Sequence, residues 1–213
     1  MVKILADIDM SLDGFVAGPD ISPEQPLGVG GERLIWYGDD VNDPDGDPEV
    51  AYGGVDGRVL REAMESEGAV IMGRRTFEVS IDAWGDEPPI HKPCFVLTSR
   101  PAPPLEMAGG TSFTFVTGGA DEAIRQASAA AGSRGVGVMG GAQTIRSFLE
   151  EGLLDALHLH IVPVVLGGGL RLFEPGAGGP IHFEKVRALD GERAVHLLLR
   201  RTRSPSEPGA RHG

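Results

Sequence analysis

Short apolar runs, each closed by glycine, proline, aspartate or serine, alternate with stretches of helical spacing through the first two thirds of the chain. The last third carries longer apolar runs with no helix between them. Residues 2–9 predict an opening strand, whose period of two places Asp7 and Asp9 on one face. Ser11, Leu12, Asp13 and Gly14 read as a turn, with Asp13 as a turn former. Residues 18–57 are rich in Gly, Pro and Asp, with a short helix expected near 31–37; so long a loop is expected to be a lid or an entrance wall. Val59, Leu60, Ala63 and Met64 predict a helix over 56–67, with Gly68 as its stop before a strand at 69–72. A helix over 74–81, strands at 94–97 and 112–117, and an alanine-rich helix over 121–131 with Asp121 as a candidate cap follow. Next come a strand at 135–139 and a helix opened by Gly140, Gly141 and Ala142 that ends near Gly152. Residues 154–165, 181–189 and 194–202 predict longer strands, so the sheet should become partly antiparallel there. The pattern implies an α/β fold: a mainly parallel sheet, helices on both faces and an antiparallel C-terminal part. One domain is expected over 1–202, with a polar, disordered tail over 203–213.

Composition narrows the function classes. At 213 residues and 41% hydrophobic content the chain can bury one substantial core. No apolar run approaches the roughly 20 residues of a membrane span, and no signal-peptide pattern opens the chain, so a cytoplasmic protein is expected. Cys94 is the single cysteine, which rules out an internal disulfide framework and a cysteine-rich zinc site. The six histidines lack metal-ligand spacing, and no metal is expected. A net charge of -12 argues against nucleic acid or an anionic membrane as partner. A small polyanionic ligand remains compatible where Arg74, Arg75 and Arg100 gather.

Three segments carry the chemistry. In Val70 to Phe77 an apolar strand breaks into Gly73-Arg74-Arg75-Thr76, where glycine admits a phosphate to the backbone, helical N–H groups point at it, and arginine and threonine add hydrogen bonds. Leu97-Thr98-Ser99-Arg100 and Gly140-Gly141-Ala142-Gln143-Thr144 also follow short apolar strands. In a parallel sheet all three emerge along one edge, where ligands of open α/β sheets sit. A literal Gly-x-Gly-x-x-Gly at Gly135, Gly137 and Gly140 lies inside a strand and not in the turn after it, so it is not read as a dinucleotide fingerprint.

Taken together and in this order, these segments resemble the dihydrofolate reductase superfamily. Ser11 to Phe15, Leu157 to Pro163 and Leu166 to Gly169 narrow the resemblance to the branch related to the reductase domain of the bifunctional riboflavin-biosynthesis deaminase-reductase. The likeness spans about residues 2 to 202. It implies a three-layer αβα sandwich with NADPH bound across the sheet. Gly73, Arg74, Arg75 and Thr76 then meet the pyrophosphate and 2′-phosphate; Leu97, Thr98, Ser99 and Arg100 hold the adenosine and its 2′-phosphate; Gly140 to Thr144 lie under the pyrophosphate. Planar guanidinium donors suit a 2′-phosphate, which favours NADPH over NADH.

The resemblance places Asp7 and Asp9 in the nicotinamide and substrate pocket as candidate catalytic residues. Crowding of the pair could raise one pKa into a useful range; the alternative is a strand-end carboxylate held by water or backbone. The helical carboxylate of folate reductases falls on Gly57 by an ungapped count, beside Asp56. A one-residue shift turns a helical side chain by about 100°, so that acid is expected to be missing. His158 and His160 share a strand face and are expected to be packed or at an interface; Trp84 is expected to anchor a loop. The function implied is an NADPH-dependent reductase of a small heterocycle, pteridine or ribosylamino-pyrimidine-like. The alternative is an NADP(H)-binding homo-oligomer that has lost turnover, and a flavin or deazaflavin enzyme is a weaker third reading. No zinc deaminase signature accompanies it. The long late strands imply an exposed edge and a homodimer.

Overall fold

The computed structural model describes residues 3–37, 53–174 and 181–202; residues 38–52 of the long loop and the tail expected to be disordered lie outside the described residues. In chain order the elements are β1 (Ile4–Ser11), β2 (Phe15–Ala17), a 3-10 turn at Gly31–Leu34, α1 (Gly54–Ser66), β3 (Glu67–Gly73), α2 (Arg74–Trp84), β4 (Pro93–Leu97) and β5 (Leu105–Glu106). Then follow a 3-10 turn at Ala108–Gly110, β6 (Ser112–Val116), α3 (Gly119–Ala131), β7 (Gly135–Met139), α4 (Ala142–Glu150), β8 (Ala156–Val162), β9 (Leu170–Arg171), β10 (Phe183–Asp190) and β11 (Val195–Arg201).

Nine strands form one sheet in the order β10-β11-β8-β1-β7-β3-β4-β6-β5, and β2 pairs with β9 in a separate ribbon. The run from β8 to β6 is parallel throughout, while β10, β11 and β5 join antiparallel. The chain moves outward from β1 to β3, β4 and β6, then returns to insert β7 between β1 and β3. Right-handed crossovers put the outward helices on one face and the returning helices on the other. Accordingly, Ala123, Ala127 and Ala131 of α3 and Ala142, Ile145, Phe148 and Leu149 of α4 pack with Ala6, Ala69, Ile71 and Val138. On the opposite face Phe77 of α2 packs with Val70, Met72, Cys94, Val96 and Phe113, and Val59 and Leu60 of α1 pack with Leu34, Trp36 and Val162.

Several boundaries differ from the sequence reading for identifiable reasons. The strand expected at 154–165 to be part of an antiparallel end is parallel to β1, because α4 provides the crossover that a parallel partner needs. It stops at Val162, before Pro163, which has no N–H to give the ladder. α2 runs one turn beyond 81 because Ile81 and Trp84 continue the apolar face of Phe77, with Trp84 stacked on Phe113 at 6.3 Å. Trp84 therefore anchors a helix end. α3 begins at Gly119 with no side-chain cap, and Asp121 and Glu122 sit in its first turn, where carboxylates favour the helix dipole. The expected helix near 31–37 is a single 3-10 turn. Strand β5 and the β2–β9 ribbon are too short to show a period.

Gly68 does not end a helix. It lies inside β3, and α3 is seated so closely that a Cβ there would stand 2.5 Å from the Ala131 carbonyl oxygen and 2.8 Å from its Cα. Both neighbours are backbone and cannot swing aside. Gly68→Ala is therefore expected to destabilise the protein by about 1–3 kcal/mol, read as a lower urea midpoint with unchanged slope. An unchanged midpoint would show that α3 does not rest on β3 this closely.

Candidate functional site

Strands β1, β7, β3 and β4 are neighbours and parallel, so their carboxyl ends open onto one cleft of about 2390 Å3. Small-ligand pockets usually hold about 300–1,000 Å3, so this cleft has room for an extended dinucleotide beside a second molecule. Gly73, Arg74, Arg75 and Thr76 line it from the end of β3 and the start of α2. Leu97, Thr98, Ser99 and Arg100 line it after β4, and Gly140, Gly141, Ala142, Gln143 and Thr144 after β7. Asp7 and Asp9 line it from β1. The structure thus brings together every residue the sequence singled out for cofactor or catalysis. The described half of the long loop, from Gly18 to Tyr37, forms one wall, as expected of an entrance wall.

The starts of α2 and α4 are packed side by side. A Cβ on Gly73 would stand 2.5 Å from Thr144 Oγ1, and one on Gly141 would stand 3.5 Å from Thr76 Oγ1. The Gly140–Gly141 peptide is cis. Neither helix start carries a side-chain cap, so the first N–H groups of both are left for another acceptor, the usual setting for a phosphate.

Positive charge gathers beside them. Arg74 Nε and Arg100 Nη2 both donate to Glu78 Oε1, at 2.9 and 2.8 Å, and these bonds hold the Glu78 carboxyl below the usual range. Arg74 also lies over the rings of Phe115 and Phe77, 5.0 and 5.6 Å from their centroids, with Nη1 buried and lacking a hydrogen-bond partner among the described residues. The Thr98 hydroxyl accepts from the Arg100 N–H at 3.0 Å and shapes that turn. Arg75 is exposed. Three guanidinium groups against one carboxylate leave two positive charges in excess, within a chain of net charge -12.

The other end of the cleft is acidic. Asp9 accepts a 2.6 Å hydrogen bond from the Trp36 indole N–H, and burial pushes its carboxyl up to about 7. Asp7, its neighbour on the same face, accepts from His160 Nε2 at 2.9 Å and faces His158 Nδ1 at 3.1 Å. Burial acts to raise Asp7 too, but the His160 charge and the two imidazole bonds outweigh it and hold the group well below the ordinary carboxylate range. One environment thus separates two adjacent carboxyls into a permanent anion and a group able to carry a proton near neutrality.

Glu67 is a functional candidate the sequence reading missed. Its carboxylate lies over Gly137, where any Cβ would collide with it, and burial raises it to about 7. A register shift between Glu67 and Ala69 turns the side chain onto the cleft face; the sequence assigned it to a helix end, and only the glycine in β7 marks the space it fills.

Some candidates lie elsewhere. Asp56 is buried, accepting from His196 Nε2 at 2.8 Å and from the Arg193 N–H at 2.9 Å, while α1 presents Leu60, Ala63 and Met64 to the cleft. None of the α1 carboxylates Asp56, Glu62 and Glu65 lines the cleft. Asp13 is a turn former: it accepts from Ser11 Oγ and from the N–H groups of Leu166 and Gly167, which together lower it to about 2. His158 and His160 are packed against Asp7 and do not line the cleft. The ligand atoms of Asp7, His158 and His160 lie within 4.8 Å of one another, close enough for a metal ion, a grouping across two strands that linear spacing could not reveal.

Comparison with known proteins places this geometry. A Bacillus subtilis protein described as the uncharacterized protein YwjB is 27% identical over 171 residues, covering 80% of this chain and 82% of that one. A protein from Shewanella sp. PV-4 provisionally assigned to riboflavin biosynthesis superposes with a TM-score of 0.66 at 23% identity, over 95% of this chain and 100% of that one. The Thermotoga maritima diaminohydroxyphosphoribosylaminopyrimidine deaminase/5-amino-6-(5-phosphoribosylamino)uracil reductase gives 0.60 at 13% identity, over 94% of this chain and 57% of that one. Dihydrofolate reductase from Enterococcus faecalis, complexed with NADP(H), gives 0.52 at 16% identity, over 94% and 97%. These structures share the fold: a mostly parallel central sheet with antiparallel additions. The sequence itself matches the family described as the RibD C-terminal domain over residues 2–196, and the chain belongs to that family.

Proposed function

We propose that the protein is an NADPH-dependent reductase of a small heterocycle rich in amino or hydroxyl donors. The observation that carries this reading is the shared cleft, in which uncapped helix starts and arginines occupy one end and the Asp7–Asp9 pair the other. The N–H groups after Gly73 and Gly141 suit a pyrophosphate; Arg75, Ser99 and Arg100 suit a 2′-phosphate. The nicotinamide would supply the hydride. Asp9 would give a proton to the nitrogen beside the reduced carbon, and Asp7 would stay ionised to hold donor groups of the substrate. The NADP(H) complex of the Enterococcus relative and the reductase named in the Thermotoga relative support the assignment.

The acidic end also bears on the substrate. Asp7, Asp9 and Glu67 face it, and Lys92 is engaged with the Met64 carbonyl at 2.8 Å and lies beside Glu67. Such a floor attracts amino and hydroxyl groups and repels a phosphate ester. Of pteridines and ribosylamino-pyrimidines, the unphosphorylated compounds fit better. A specific observation keeps a second reading, NADP(H) binding without turnover: Asp56 is withdrawn from the cleft. NADPH titration followed by a panel of pteridines and aminopyrimidine ribosides separates the two, since a binder saturates and consumes nothing.

Arg75→Ala and Arg100→Ala are each expected to weaken NADPH by about tenfold or more and NADH little, measured by fluorescence titration. Equal losses for both cofactors would place the 2′-phosphate elsewhere. Asp9→Asn is expected to lower turnover by about 10²–10⁴-fold with NADPH affinity within about twofold. In the native protein the acid must be protonated, so the rate should fall as pH rises through about 7. The same raised carboxyl makes its contribution to stability full below about pH 4 and lost as pH rises through about 7, a slope that Asp9→Asn should reduce in urea melts at several pH values, leaving the part that Glu67 contributes.

A further inference from the structure

Four side chains beneath the cleft form one continuous line. Asp7 Oδ1 meets His160 Nε2 at 2.9 Å, His160 Nδ1 meets His196 Nδ1 at 2.7 Å, and His196 Nε2 meets Asp56 Oδ1 at 2.8 Å. Each of these three hydrogen bonds requires one proton. A neutral imidazole carries a single N–H, so two neutral rings supply two, and an ionised carboxylate supplies none. The third proton is an excess one, whichever of the four groups holds it.

We propose that this line permanently holds one excess proton, carried as an imidazolium on His160, and that His196 and Asp56 are positioning residues that keep it beneath the aspartate pair.

The surroundings fix its place. Asp56, whose other oxygen accepts the Arg193 N–H, takes the Nε2–H of His196; this leaves His196 Nδ1 as a lone pair, able to accept from His160 Nδ1–H. His160 then donates its second N–H to Asp7. Asp7 and Asp9 face the pair from β1, His158 from β8, Asp56 from α1, and Trp36 and Tyr37 from the loop. Trp36 packs against both rings, 4.9 Å from His160 and 4.7 Å from His196 between centroids. Burial acts to lower His160, but Asp7, then Asp9 and Asp56, reverse it, whereas burial keeps His196 below the ordinary imidazole range. A metal ion between Asp7, His158 and His160 is the competing occupant. Both rings are buried behind Asp7 and outside the cleft, and the proton alone completes every hydrogen bond in the line.

The consequence for catalysis rests on the reductase reading. An imidazolium bonded to Asp7 keeps that carboxylate ionised; at Asp9 its positive charge works against burial more than the Asp7 charge works with it, and so tempers the rise that burial causes. In turnover a bound reduced nicotinamide would supply the hydride to the substrate carbon, and Asp9 would give its proton to the adjacent nitrogen. Water in the open cleft reprotonates Asp9. The buried proton is not consumed.

The test uses the full-length protein without cofactor, labelled with 15N-histidine and followed by imidazole NMR from about pH 5 to about pH 9. The expected result is one ring doubly protonated across the whole range, its signals lost in His160→Gln, and one Nε2–H tautomer, lost in His196→Gln. Asp56→Asn should bring the His160 titration into the window. Two neutral rings at pH 7 in the native protein would overturn the proposal without any variant. So would loss of the doubly protonated ring on adding stoichiometric Zn2+, or an unchanged His160 in folded Asp56→Asn. A doubly protonated His160 without NADPH consumption on any substrate sinks only the reductase reading; NADPH consumption with a neutral His160 sinks only this one. Where both hold, His196→Gln should move the pH profile of turnover upward, because the His160 charge that lowers Asp9 is weakened, while leaving the KM for NADPH unchanged.

Discussion

Strand β7 enters the sheet between β1 and β3, and the contents of the cleft depend on that insertion. It sets the Gly140–Gly141 turn beside the Gly73 turn, so that two uncapped helix starts converge. It also sets Asp7 opposite Met139 in the ladder, within one strand of the anion-ready turns. The tolerance is small: Thr144 stands against Gly73 with no space for a methyl group, and Ala131 stands against Gly68 in the same way. Small residues along α3 are what let the returning helix lie flat enough for β7 to reach its place.

Charge is distributed along this cleft with a purpose that net charge conceals. The guanidinium cluster lies over β3 and β4, and the carboxylates lie over β1 and β7. A ligand with a doubly anionic tail and a donor-rich head is complementary to both ends at once, while a ligand anionic throughout is not. The acidic end would be unstable as three free carboxylates. Trp36, the imidazoles and Lys92 each compensate one of them differently, by a neutral donor, by a buried cation and by a partly solvated ammonium. Those differences give adjacent residues of identical chemistry separate titration behaviour.

What the sequence made legible was what depends on local order. A strand, a glycine and a helix start are consecutive in the chain, so the anion-ready turns could be read from Val70 to Thr76 and from Val138 to Thr144. Asp7 and Asp9 share a face because a strand has a period of two. The carboxylate–imidazole line could not be read, because its contacts join residues 36, 140 and 153 positions apart. Glu67 was hidden by a bulge that reverses its face, and the parallel setting of β8 by treating three late strands alike when α4 separates the first of them from β7.

The fate of Asp56 links these strands of argument. A helical wall that offered a carboxylate to the cleft would approach a bound heterocycle from its edge; here that wall is Leu60, Ala63 and Met64. Asp56 of α1 is turned inward and serves the turn between β10 and β11 through Arg193, and the histidine of β11. On the floor, β1 holds Asp7 and Asp9 on a strand that cannot swing. On the proposed reductase reading, a donor fixed in the central sheet requires the substrate ring to lie across Asp7 and Asp9. In that pose its amino or hydroxyl groups face Glu67, and the apolar wall is free to cover its face. In this member of the family the acidic groups of the cleft are carried by strands, Asp7 and Asp9 on β1 and Glu67 on β3, and not by α1.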